Sequence, residues 1–259
     1  MSIESMQHRE FDIGRVISAT FGVIGRNFAP FAGLAFLFSV IPQALIGWFS
    51  RPGGELPDTR LLGLFSVVAI VGGLLTMMFG WILQAALIRG AVDDLNGRKT
   101  SLEACLNTAV RNLGPVFLIS VMMVLGIGLG SILLIIPGLI LSVMWVVAIP
   151  AQVIEQRGVF ASLERSSDLT RGSRWPIFGL FVLYTVLSWI VGAVVVGIGT
   201  AVSGGIAGMA TSAVMQIVIS PLVAGLSALV ASAGSAAIYT ELRMAKEGAE
   251  PHALASVFD

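Results

Sequence analysis

Residues 113–154 read LGPVFLISVMMVLGIGLGSILLIIPGLILSVMWVVAIPAQVI, 42 residues without one Asp, Glu, Lys, Arg or His. As one helix rising 1.5 Å per residue, the tract would be about 60 Å long, twice the ~30 Å hydrocarbon thickness of a bilayer. It therefore predicts two membrane helices folded as a hairpin. Gly126, Gly128 and Gly130 weaken helix near its middle, and Pro137-Gly138 adds a second break, which places the turn between about Gly128 and Gly138.

Two more uncharged stretches precede this hairpin, Phe28 to Phe49 and Leu61 to Ile88, and each reads as one span. After it, the apolar tract Pro176 to Thr240 is too long for one helix and is divided by the glycine-rich run Gly197 to Gly208. The expected fold is all-α and polytopic, with about six transmembrane helices. Composition agrees: 56% of residues are hydrophobic and 12% charged, against about 25% charged in ordinary soluble domains. Mean hydropathy is +0.93. Met1 to Phe11 lacks the basic start, short apolar core and cleavage site of a secretory signal, so the first span is expected to be retained.

Orientation follows from where Lys and Arg fall, because basic loops stay on the cytoplasmic side during insertion. Thirteen of the 15 basic residues lie in four segments: Arg9, Arg15 and Arg26; Arg89, Arg98, Lys99 and Arg111; Arg157, Arg165, Arg171 and Arg174; and Arg243 with Lys246. The other two, Arg51 and Arg60, lie in the first loop. Six spans with both termini cytoplasmic satisfy this distribution. Acidic and basic residues balance at 15 each, so no basic field for nucleic acid is expected.

A unit recurs three times. Ile13, Ile17, Phe21, Ile24 and Phe28 are spaced three and four apart, the pattern of an amphipathic helix lying on the membrane before the first span. Leu102, Leu106, Val110 and Leu113 repeat it before the third span. Arg26-Asn27-Phe28-Ala29-Pro30 matches Arg111-Asn112-Leu113-Gly114-Pro115, with a proline where the surface helix hands over to the spanning one. A third copy, Ala161 to Pro176, has a weaker apolar face with Ser166, Ser167 and Thr170 in register. The expected organisation is three interfacial-helix-plus-hairpin repeats at 10–90, 100–155 and 158–243, then a cytoplasmic tail, 244–259. The three interfacial helices are expected to form one amphipathic collar.

Ile136-Pro137-Gly138, Trp145, Pro150, Glu155, Gly158, Leu163, Arg165-Ser166, Leu169-Thr170-Arg171-Gly172 and Trp175, followed by Tyr239, Leu242-Arg243 and Glu247-Gly248, resemble the bacterial glycerophosphoryl diester phosphodiesterase membrane-domain family. The resemblance implies a stand-alone copy of that membrane part in a bacterial inner membrane. In family members that hydrolyse diesters, the chemistry belongs to a separate soluble barrel, for which this chain has no room.

No catalytic residue, metal ligand set or cofactor is expected. The histidines His8 and His252 lie in the tails, and Cys105 reads as a small packing residue. The spans carry no ionisable group of the kind that marks ion-coupled transport. Gln84, Gln152 and Gln216 are the candidate intramembrane polar site, against the simpler reading of hydrogen bonds between helices. Gly126-x-x-x-Gly130 and Gly204-x-x-x-Gly208 suit close helix packing. Arg157, Arg165, Arg171 and Arg174 are the candidate docking residues for anionic lipid headgroups or a membrane partner, with Arg165/Asp168 and Asp168/Arg171 spaced to pair. The leading functional reading is a non-enzymatic, lipid-associated protein or a helper of another membrane protein. The alternatives are a transporter or channel for a neutral or amphipathic substrate, which requires a cavity reaching the glutamines, and the membrane subunit of a separately encoded phosphodiesterase.

The topology is open to cysteine-accessibility labelling. Membrane-impermeant thiol reagents applied from outside should label a cysteine placed at Glu55 or Asp58; labelling at Lys99 or Arg171 instead would overturn it.

Overall fold

The structure, a computed structural model, describes residues 11–49, 59–99, 101–206, 208 and 212–248. Arg9, Arg51, Glu55, Asp58, both histidines and the tail from residue 249 lie outside the described residues. Within them the chain forms nine helices: α1 (Ile13–Arg26), α2 (Phe28–Phe49), α3 (Thr59–Leu95), α4 (Leu102–Arg111), α5 (Leu113–Leu133), α6 (Ile135–Glu155), α7 (Val159–Thr170), α8 (Arg174–Ser203) and α9 (Met215–Glu247). Helices α2, α5, α6, α8 and α9 and the Ile70–Leu95 part of α3 are long and apolar enough to span a membrane. The fold is all-α and polytopic, and a short helix precedes each pair of spans.

The handovers from short to spanning helix are built alike. Asp12 caps α1 by accepting the Arg15 amide at 3.1 Å, and Ser101 caps α4 by accepting that of Ala104. Each helix then ends at an asparagine, Asn27 or Asn112, whose side-chain amide donates to the carbonyl four residues back, Val23 or Thr108. The next helix starts one residue later, with Pro30 or Pro115 third in line, a position where the missing N–H costs nothing. Pro176 is likewise third in α8. That corner is longer, with Gly172 at φ 92°.

In α1 and α4 the face that packs on the protein carries small or medium residues: Val16, Thr20 and Val23, then Cys105 and Ala109. The periodic apolar stripe turns outward, leaving Ile13, Phe21 and Phe28, and Leu102 and Val110, exposed. Both helices suit a membrane surface with the stripe in lipid. The third copy departs from the expected collar. Helix α7 buries Ser162, Leu163, Ser166, Leu169 and Thr170, so Ser162, Ser166 and Thr170 face protein. They do so because α6 is broken at Trp145–Val147: the Ser166 hydroxyl donates to the Met144 carbonyl at 2.7 Å and accepts the Val147 amide at 3.3 Å. A backbone break at membrane depth requires such replacement partners.

The α5–α6 hairpin turns on a single extended residue, Leu134 (φ −160°, ψ 137°), inside the expected window. Helix α5 runs unbroken through Gly126, Gly128 and Gly130, so these glycines are not helix breakers. They allow contact instead. A Cβ on Gly126 would stand 2.4 Å from the Trp145 ring, and one on Gly130 would stand 3.1 Å from the Gly138 backbone. The break between α8 and α9 begins at Gly204, φ 72°, within the expected glycine run.

Helix α9 is the centre of the assembly, packed on α1, α2 and α3. Two π-helical turns, Phe36–Val40 in α2 and Met215–Ile219 in α9, lie in the α2–α9 contact. The core gathers at the charged ends of the helices, around Leu83, Leu87 and Ile88 of α3, Ile119 of α5, Leu169 of α7 and Tyr239 and Leu242 of α9. Helix α8 stands apart: it buries only Ile177 and Gly199 and packs mainly on α6 and α1.

A Cβ on Gly138 would lie 2.8 Å from the Ser131 amide nitrogen and 2.9 Å from its Cα. Gly138→Ala must therefore open the hairpin, and is expected to lower thermal stability in detergent by several degrees, an overpacking cost of about 1–3 kcal/mol. Gly128→Ala, which meets nothing within 4 Å, is the control; equal melting of the two variants would contradict the close approach.

Candidate functional site

Ion pairs tie the four basic segments together at one end of the bundle. Arg15 of α1 meets Glu241 of α9 at 2.5 Å, and Arg26 meets Asp94 of α3 at 2.6 Å. Glu155, at the end of α6, accepts Arg157 at 2.6 Å, Arg165 of α7 at 3.0 Å and the Tyr239 hydroxyl of α9 at 2.8 Å. Arg165 also bonds Glu247, which takes Arg243 at 2.9 Å. Arg165 thus turns to Glu155 and Glu247, away from the expected i, i+3 partner Asp168. Burial alone would disfavour its charge, but the bonds to Glu247 and Glu155 outweigh that and raise its pKa. Exposed pairs such as Arg26–Asp94 contribute about 0–1 kcal/mol. The Glu155 junction is largely enclosed and fully hydrogen-bonded, so losing one of its members leaves a buried charge without its partner.

The three glutamines separate. Gln152 is buried and satisfied: its amide donates to Asn112 Oδ1 at 3.2 Å, and its Oε1 accepts the Ser162 hydroxyl at 2.9 Å and the Gly158 amide at 3.0 Å. It ties α6 to the α4–α5 corner and to the start of α7. Gln84 and Gln216 are half-buried on α3 and α9, and the Gln216 backbone packs against Gly47. Cys105 is fully buried, and burial, with Asp93 nearby, pushes its thiol up to about 11. The native cysteine is thus a poor nucleophile, and labelling reports on introduced cysteines. Among the described residues no group of three or more His, Cys, Asp or Glu could hold a metal ion.

Of the four candidate arginines, Arg157 and Arg165 are paired as described. Arg171 is exposed, and Arg174 is half-buried with its Nε enclosed and without a hydrogen-bond partner. Both lie close enough to Lys246 of α9 to repel it, and Lys246 itself donates to the Asp168 carbonyl. Lys246 was not singled out in the sequence, since it sits 72 residues beyond Arg174 and only the fold brings them together.

A cleft of about 280 Å³ opens between α1, α8 and α9, with Val146 of the α6 break at its edge. Helix α8 lines it with Ile177, Phe181, Tyr184 and Leu187, spaced three and four apart; α9 lines it with the small residues Ala231, Gly234 and Ser235; α1 supplies Val16, Thr20 and Phe21. The aliphatic hydroxyls in these walls bond their own helices, Thr20 to the Val16 carbonyl at 2.7 Å and Ser235 to that of Ser232 at 3.0 Å. The cleft is therefore apolar, and none of Gln84, Gln152 and Gln216 lines it. The sequence carries the two rows separately, bulky residues at 177, 181, 184 and 187 and small ones at 231, 234 and 235, and only the fold sets them opposite each other.

Compared with known families, residues 11–242 match the one described as Domain of unknown function (DUF7847). The chain belongs to this family. The DUF7847 match covers every residue lining the cleft and the Glu155 junction up to Tyr239, and stops before Arg243, Lys246 and Glu247. No curated protein and no solved structure matches the chain.

Proposed function

We propose that this multi-pass membrane protein binds a membrane lipid without chemistry of its own, holding one acyl chain in the cleft between α1, α8 and α9. The observation that carries this reading is the cleft's chemistry: an apolar slot, near the lower end of the ~300–1,000 Å³ usual for ligand sites, walled by two spans and an amphipathic helix whose apolar stripe faces outward. A transporter or channel for a neutral or amphipathic substrate requires a cavity reaching the glutamines, and the cleft does not reach them. The charged end is assigned to the cytoplasmic side of a bacterial inner membrane, on the distribution of basic residues. On the Ile136 to Trp175 motifs, the chain is read as a stand-alone relative of the glycerophosphoryl diester phosphodiesterase membrane domain.

Phosphatidylcholine carrying a photoreactive group in its acyl chain tests the reading. Crosslinks should concentrate on α8 between Ile177 and Leu187 and on α9 between Val230 and Ile238, and Ala231→Phe, which fills the slot, should reduce them severalfold. Crosslinks spread evenly over the outer faces of α5 and α8, and indifferent to Ala231→Phe, would refute it.

A further inference from the structure

Inside a bilayer an acyl chain gains no hydrophobic free energy by leaving lipid for an apolar cleft, since both surroundings are equally dry. Any selectivity must come from the polar end of the ligand. The cleft's charged end lies beside the unpaired cations. Ile177, which lines the cleft, is one helical turn from Arg174, and Ile238 is two turns from Lys246. Trp175, 82% exposed, marks the same level on α8, and such a ring settles where headgroups begin.

Arg171, Arg174 and Lys246 have no ion-pair partner within 4 Å among the described residues, unlike Arg157 and Arg165. Around Lys246 the Asp168 carboxylate attracts while Arg171, Arg165 and Arg174 repel; with Arg165 taken up by Glu155 and Glu247, the charge left over there is positive. The Nε of Arg174 is enclosed and has no hydrogen-bond partner, so the protein does not fully satisfy this guanidinium. The phosphodiester of a lipid without a cationic headgroup meets these demands together, because its oxygens accept from guanidinium and ammonium and its uncancelled charge offsets the excess.

We infer that the cleft selects an anionic phospholipid, with its phosphate and headgroup held by Arg174, Arg171 and Lys246 while one chain occupies the α1–α8–α9 slot. This rests on the acyl-chain reading above and adds the headgroup class to it. Each basic residue near a membrane surface adds about 1 kcal/mol of attraction for anionic lipid, or about fivefold in binding, so the three together give a preference of more than tenfold.

The test reconstitutes the full chain in phosphatidylcholine vesicles doped with phosphatidylglycerol, each lipid in turn carrying the same photoreactive chain, and measures capture in the cleft per mole of lipid. Wild type should capture phosphatidylglycerol more than tenfold better, and raised salt should erode that preference. R171Q/R174Q/K246Q should bring the two lipids level, with its thermal unfolding in detergent, compared with wild type, as the folding check. R174K/K246R should keep the preference, and R98Q, which alters an exposed arginine that does not line the cleft, should leave it unchanged. Equal capture by wild type at low salt overturns the headgroup inference while the chain reading stands; no capture in the cleft overturns both. A preference abolished by inorganic phosphate at an ionic strength where chloride does not abolish it would show a free-anion site, and would overturn the assignment to lipid. If the triple variant fails its folding check, the wild-type ratio and its salt dependence decide the matter.

Discussion

The carboxylate of Glu155 joins three helices at one point, taking the Arg165 guanidinium of α7 and the Tyr239 hydroxyl of α9 at the end of α6. Helices surrounded by lipid have no hydrophobic reason to associate, so specific polar contacts and close packing must hold them together. At the charged end the contacts are the Glu155 junction, Arg15–Glu241, Arg26–Asp94 and the Gln152–Asn112–Ser162 cluster. Away from it, packing rests on glycines: Gly130 against Gly138, Gly225 against Val40, and Gly47 against the Gln216 backbone. The bundle is gathered at one end and looser elsewhere, and its core lies where the charges are.

The cleft follows from this arrangement. Helix α8 is anchored near its start by Ile177 and the contacts with α6 and α1, but it shares no extended interface with α9. The small residues Ala231, Gly234 and Ser235, which could have admitted a close neighbour, instead face the bulky row of α8 across a gap. On the proposed reading a lipid chain fills it, and Arg171, Arg174 and Lys246 beside its charged end bias which lipid does.

The six spans were legible because hydropathy and charge act on each segment separately, although the second, read as Leu61 to Ile88, continues in α3 through Arg89 to Leu95. The prolines at 30, 115 and 176 marked the handovers because a backbone rule, independent of tertiary structure, confines them to a first helical turn. The role of α7 was not legible in the same way. Ser166 and Thr170 looked like flaws in an apolar stripe, and only the break in α6 shows why hydroxyls belong there. The motif run from Ile136 to Trp175 turns out to hold structural residues: Gly158 donates its amide to Gln152, Glu155 takes Arg165, and Ser166 bridges the α6 break. The sequence does not bring Lys246, Ala231 and Tyr184 to one site, because partner choice between helices is a matter of shape and distance, which periodicity within one helix does not encode.

The central claim, that α8 stands off α9 to hold a lipid chain, is tested most directly by electron cryomicroscopy of the protein in nanodiscs of phosphatidylcholine and phosphatidylglycerol. The account predicts an elongated density between Phe21, Tyr184 and Gly234, with its bulkier end toward Arg174 and Lys246. A map in which α8 closes onto Ala231 and Gly234, with no room for a chain, would contradict it.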